Sequence, residues 1–243
     1  MDGRLYALSP DGIVTWKVVD GGPVVAVGRD GRIYAGSSAF DPKNGKRTAE
    51  FPNSVAVLGN DDTIFVQHEG IFAFDFRGTI KWNSSAVAET PVVAGNDGDI
   101  YFGSRSTYAV RDPVTGVPKY VPPPPGAPRY RVVALDPRSG SIRWSFSVRG
   151  KISAVVRGHE GTICAGSYDG HVYALDPDTG ALRWRFWAGG KWGEMPVHAL
   201  AVGSDGTIYV GAGSYVEAIR PPSRIVQKTN ASTGTRIIAP VAK

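Results

Sequence analysis

Along the chain, apolar residues fall into runs of about four to six, alternating with polar residues or fully apolar, and rich in Val, Ile, Tyr and Phe. The runs are bounded by Asp-Gly or by Asp-Pro-x-x-Gly, so they read as β-strands separated by tight turns. Asp-Gly supplies the positive φ that a two-residue hairpin needs. Asp-Pro-x-x-Gly opens a turn at a preset φ and closes it on glycine. No stretch sustains a period near 3.6, and the pattern predicts an all-β chain.

The strands repeat as a unit. A tryptophan-ended segment reads LYALSPDGIVTW (5–16), IFAFDFRGTIKW (71–82), VVALDPRSGSIRW (132–144) and VYALDPDTGALRW (172–184), ending on Trp16, Trp82, Trp144 and Trp184. A weaker copy, AFDPKNGKRTA (39–49), places Ala49 in the tryptophan position. Upstream of each lies a second element: DGRIYAGS (30–37), DDTIFV (61–66), DGDIYFGS (97–104), EGTICAGS (160–167) and DGTIYVGAG (205–213). Several of these follow a short aliphatic run such as PVVAV (23–27). Four antiparallel strands in about 33 to 40 residues describe a β-propeller blade. A β-sandwich would not need the same four-strand sentence about five times.

Alanine recurs in the third strand (Ala7, Ala39, Ala73, Ala134, Ala174, Ala218), which suits close approach of sheets. The tryptophans are expected to pack between blades, each burying roughly 150–250 Å².

At these residues the chain resembles the quinoprotein-type, or PQQ-like, propeller repeat. ALDPRSGSIRW (134–144) and ALDPDTGALRW (174–184) are similar to that family's tryptophan-docking motif. The resemblance runs to about residue 219. It implies a β-propeller of four-stranded antiparallel blades with Trp16, Trp82, Trp144 and Trp184 as structural docking residues. The family includes quinone-dependent dehydrogenases, the propeller lipoprotein of the outer-membrane barrel-assembly machinery, and sensor domains. The likeness here is to the assembly propeller more than to a dehydrogenase, and it suggests a periplasmic or extracellular location. The chain's own start, Met1-Asp2-Gly3-Arg4, has no apolar signal region.

Family members commonly carry about eight blades. The chain has material for five to six blade-equivalents, which form either a complete smaller ring or part of a larger one. The expected organisation is a propeller over 1–219 with a Pro-rich insertion at 105–131. Residues 220–243 form a C-terminal tail, which in the complete-ring alternative joins the N-terminal strands to close the ring. Within the insertion, Pro122–Pro125 cannot sit inside a sheet. TYAVRDPVTGVPKY (107–120) resembles an extra hairpin there, and Tyr120, Tyr130 and Arg131 are candidates for partner contact. A second, shorter insertion near AGGKWGEM (188–195) adds Trp187 and Trp192 as further candidates.

Composition narrows the function. Charged residues are 20% and the net charge is +5, but the basic residues are scattered; the longest cluster is Arg129 and Arg131 around Tyr130. Nucleic-acid binding usually shows a basic stripe, so none is expected. No apolar run approaches the ~18 residues of a membrane helix. The single cysteine, Cys164, excludes an internal disulfide, and its slot is shared with Tyr34, Phe65, Tyr101 and Tyr209, which marks it as a core position. His68, His159, His171 and His198 lack metal-ligand spacing. The quinone enzymes that the repeat resembles use adjacent cysteines and a calcium-aspartate site, and this chain has no cysteine pair. The expectation is a non-enzymatic scaffold that binds a protein partner and carries no cofactor, catalytic residue or metal. The alternatives are a degenerate or partial quinoprotein dehydrogenase using pyrroloquinoline quinone and calcium, and a small-ligand sensor domain.

Overall fold

The computed structural model describes residues 4–19, 24–53, 55–59, 61–95, 98–106, 108–111, 118–121, 128–188, 195–220, 226–229 and 236–239. The described residues are all-β and form antiparallel sheets of two to four strands; the only helical segment among them is a 3-10 turn at His159–Gly161. The chain divides into two compact units.

The first unit comprises Met1–Ala88 with Asn96–Ile100 and Leu135–Ser141. It opens with a two-stranded sheet, β1 (Leu5–Leu8) and β2 (Val14–Val18). A four-stranded sheet follows: β3 (Val24–Val27), β4 (Ile33–Ala35), β5 (Ser38–Phe40) and β6 (Arg47–Glu50). The next is β7 (Val55–Leu58), β8 (Ile64–Gln67), β9 (Ile71–Phe74) and β10 (Ile80–Ser84).

The second unit takes up Glu89–Gly95, Tyr101–Ala134 and Ile142–Lys243. Its first sheet runs in the order β11 (Val93–Ala94), β12 (Ile100–Arg105), β15 (Tyr130–Leu135) and β16 (Ile142–Val148). Between β12 and β15 the chain makes a separate hairpin, β13 (Tyr108–Arg111) with β14 (Pro118–Val121). Next come β17 (Ile152–Arg157), β18 (Ile163–Ser167), β19 (His171–Leu175) and β20 (Leu182–Trp187), and then a three-stranded sheet of β21 (Val197–Val202), β22 (Ile208–Ala212) and β23 (Tyr215–Ile219). In the tail, β24 (Val226–Thr229) pairs with β25 (Arg236–Ala239).

Most consecutive strands pair across a short turn, several of them of the predicted Asp-Gly or Asp-Pro-x-x-Gly kind. In two Asp-Gly turns and one Asp-Asp turn, an aspartate oxygen accepts the N–H two residues on: Asp30 from Arg32, Asp205 from Thr207 and Asp61 from Thr63. The core lies between neighbouring sheets of one unit. One cluster joins Tyr34 and Ala39 to Ile64, Val66 and Phe74, and another joins Tyr101, Val132 and Trp144 to Ile163, Ala165 and Leu175.

The strand register gives the alanine slot a more local reason than sheet approach. Ala73 pairs with Phe65 on one side and Trp82 on the other. Those two residues are two strands apart, roughly 10 Å along the sheet, yet their ring centroids meet at 5.7 Å. The small Ala73 side chain clears the space over which they meet. Ala174 lies likewise between Cys164 and Trp184, and Ala39 between Tyr34 and Ala49.

Two sequence expectations need adjustment. The insertion is narrower than 105–131: Arg105, Tyr130 and Arg131 are strand residues of the four-stranded sheet, and Ser106 N donates to Arg129 O at 2.7 Å where the chain leaves and returns. Ladder pairing resumes as soon as the two strands can exchange hydrogen bonds. The shared core slot also fails once, because Tyr209 is 44% exposed whereas Tyr34, Phe65, Tyr101 and Cys164 are buried. The sheet of Tyr209 has only three strands among the described residues, so no fourth-strand residue covers its ring.

Candidate functional site

The tryptophan sites were built first by the sequence, and their geometry repeats. Trp16 Nε1 donates to Pro42 O at 2.8 Å, Trp82 to Pro137 O at 2.8 Å and Trp144 to Pro177 O at 2.7 Å. Each acceptor is the proline of an Asp-Pro-x-x-Gly turn in a later repeat. The glycine that ends that turn lies under the indole: a Cβ on Gly45 or Gly180 would fall 2.6 Å from the Trp16 or Trp144 ring, and Gly140 stands in the same relation to Trp82. All three glycines have positive φ. The turn therefore needs glycine twice, for its backbone and for the ring above it. Trp82, Trp144 and Trp184 are 7–8% exposed; full burial of such a side chain contributes about 4–6 kcal/mol at ~25 cal/mol per Å².

The turn aspartates hold this geometry. Asp136 Oδ1 accepts from the backbone N–H groups of Arg138 and Ser139 and from the Ser139 hydroxyl, at 3.0, 2.8 and 2.9 Å. The Ser139 hydroxyl bond leads in holding this carboxyl below the usual range. Asp176 repeats the pattern with Asp178 and Thr179 and adds Arg183 Nη2 at 2.9 Å. Burial pushes the Asp176 carboxyl up, but the hydrogen bonds from Arg183 and Thr179 outweigh it and the net shift is downward.

The remaining predicted positions are scattered. Trp184 is buried against Cys164, Ala174, Val197 and Ile208, and residues 221–225, which follow β23, lie outside the described residues. Tyr120 falls in β14, paired with Ala109, and Trp192 lies outside the described residues. Tyr130 packs in part on the core of the second unit rather than standing free. Arg131 is half-buried, with its Nε lacking a hydrogen-bond partner. Trp187 is 42% exposed, and its ring meets His171 edge-on at 4.8 Å.

His171 leads to a cleft that sequence reasoning missed. Arg129, Arg149, Phe146, Tyr173, Leu182 and Arg185 line a cavity of about 520 Å³ in the second unit. A smaller recess of about 260 Å³ shares Arg149, Tyr173 and Arg185 with it and adds Asp169 and His171. Asp169 is held firmly: it accepts from the Tyr173 hydroxyl at 2.8 Å and from the N–H groups of His171 and Gly150 at 3.1 and 3.3 Å. Burial pushes its carboxyl up, yet the bonds from Tyr173 and His171 bring the net shift below the usual range. The Tyr173 phenol is pushed up by burial and by Asp169, so it stays protonated and donating.

The described residues do not fit a pyrroloquinoline quinone site. The one thiol, Cys164, is fully buried, and burial pushes it up to about 12. The Trp16, Trp82 and Trp144 indoles already lie on turn glycines. Among the described residues no three His, Cys, Asp or Glu side chains converge to hold calcium.

Four-stranded antiparallel sheets whose tryptophans dock on Asp-Pro-x-x-Gly turns resemble the PQQ-like β-propeller repeat. Residues 128–237 match the family model described as outer membrane protein assembly factor BamB, which the chain resembles. The crystal structure of BamB from Moraxella catarrhalis is similar at 16% identity over 93% of this chain, with a TM-score of 0.44; the chain spans 55% of that protein's length. No curated protein sequence matches. No helix among the described residues is long and apolar enough to cross a membrane.

Proposed function

We propose that this chain is a non-enzymatic propeller scaffold that holds a protein partner. The observation that carries the reading is the use made of the repeat's aromatics. Trp16, Trp82 and Trp144 each donate their one N–H to a proline carbonyl and rest on a turn glycine, so the residues that define the repeat build a frame. Such a frame presents side chains from strand ends and turns at fixed spacing, which is what a binding surface needs. The match to a family model named for an assembly factor supports the same reading.

The test is affinity capture from an extract of the source cells, with the purified chain as bait. The scaffold reading expects one or a few proteins retained at near-stoichiometric amounts, and their loss when the bait is unfolded by Gly140→Trp. Retention of nothing above a bare-resin control contradicts it.

A further inference from the structure

We propose that the arginine-rimmed cleft of the second unit docks an acidic, extended segment of the partner protein, with a carboxylate side chain next to an apolar one; this rests on the scaffold reading above. The cleft combines two chemistries. Its floor is apolar, with the Phe146 and Tyr173 rings 5.7 Å apart and Leu182 beside them. Its rim carries three exposed guanidinium groups, Arg129, Arg149 and Arg185.

Charge balance selects the ligand. None of the three arginines makes an ion pair with a described residue, whereas Arg183, one position from Trp184, is paired with Asp176. Among the described residues that line the cleft and its recess, the one carboxylate, Asp169, already accepts from Tyr173, His171 and Gly150. Among the described residues, three positive charges thus face one committed negative charge, and the cleft is short of acceptors. Guanidinium forks match carboxylates bidentately and are less strongly hydrated than ammonium groups, so they suit partner acids at an interface. An inorganic anion would satisfy the rim and leave the apolar floor wet. A carboxylate followed by an apolar side chain covers both, and the volume of about 520 Å³ lies within the usual range for binding sites of roughly 300–1,000 Å³.

The experiment measures anisotropy of a fluorescein-labelled peptide that alternates Glu with Phe and Leu, and of its neutral Gln counterpart. Inorganic phosphate serves as competitor. The proposal expects the acidic peptide to bind at least about tenfold tighter than the neutral one, and Arg149→Glu and Arg185→Glu each to weaken it about tenfold or more. Binding should weaken with added salt. Arg29→Glu, an exposed arginine of the first unit, should leave binding unchanged. Equal affinity for both peptides overturns the proposal, as does phosphate alone binding as tightly as the peptide, or wild-type affinity in both reversal variants at unchanged melting temperature. The captured partner separates the two readings. If Arg149→Glu/Arg185→Glu bait retains it undiminished, the cleft proposal falls and the scaffold stands; if wild-type bait retains nothing, the scaffold reading fails and the cleft proposal with it.

Discussion

Gly180→Ala should destabilise the second unit far more than Gly161→Ala. Both glycines have positive φ, +70° and +74°, so both substitutions carry the strain of an L side chain in the left-handed region, roughly 1–2 kcal/mol. They differ in what the new methyl meets. At Gly161 the nearest atom is Pro177 Cγ at 3.8 Å, ordinary contact. At Gly180 it would fall 2.6 Å from Cδ2 and Cε3 of Trp144. The indole cannot slide away without lengthening the 2.7 Å bond from its Nε1 to Pro177 O. Overpacking of this kind costs about 1–3 kcal/mol, so Gly180→Ala should lose about 2–5 kcal/mol in total. Urea unfolding followed by tryptophan fluorescence gives both values, and near-ultraviolet circular dichroism should change for Gly180→Ala alone. Equal losses in the two variants, within about 0.5 kcal/mol, would refute docking of the ring on the turn.

The Cys164 thiol, buried and pushed up to about 12, should not react with a thiol reagent at pH 8 until the chain unfolds; rapid reaction of the folded protein would show an accessible thiolate. The Asp75, Asp136 and Asp176 carboxyls are all held below their usual range, Asp75 and Asp136 by turn hydrogen bonds and Asp176 by Arg183 and then Thr179. Their contribution is therefore present above the unfolded carboxylate value of about 4 and is lost as pH falls through the lower folded values, because the unfolded chain binds protons first. The melting temperature should be flat from neutral pH to about 5 and then fall, with a shallower fall in Asp136→Asn/Asp176→Asn. Replacing residues 107–128 with a short Gly-Ser linker should move the melting temperature by only a few degrees, about 3 °C or less, since Ser106 and Arg129 already meet at 2.7 Å; global unfolding would make the β13–β14 hairpin part of the core.

Strands and repeat were legible because their signals are local: short apolar runs, Asp-Gly turns and a tryptophan at a fixed distance from alanine. The pairing of each tryptophan with a later turn was written in the sequence too. Trp16, Trp82 and Trp144 dock on turns that begin Asp41-Pro42, Asp136-Pro137 and Asp176-Pro177. The turn Asp75–Gly78 follows the blade that has Ala49 in the tryptophan slot, and it lacks the proline. The cleft left no such trace. Arg149, just after β16, and Arg185, in β20, lie 36 residues apart, and only the packing of neighbouring sheets brings them to one cavity with Phe146 and Tyr173. Scattered basic residues in the sequence are thus not scattered in space. Tyr209 shows the reverse case, a core-type slot left exposed where the sheet has three strands among the described residues.

That the scaffold is non-enzymatic is tested most directly by dye reduction. The purified chain is incubated with pyrroloquinoline quinone and calcium and supplied with primary alcohols and aldoses. The account predicts a rate equal to that of quinone and calcium without protein. Turnover that saturates with quinone and disappears on chelation of calcium would contradict it.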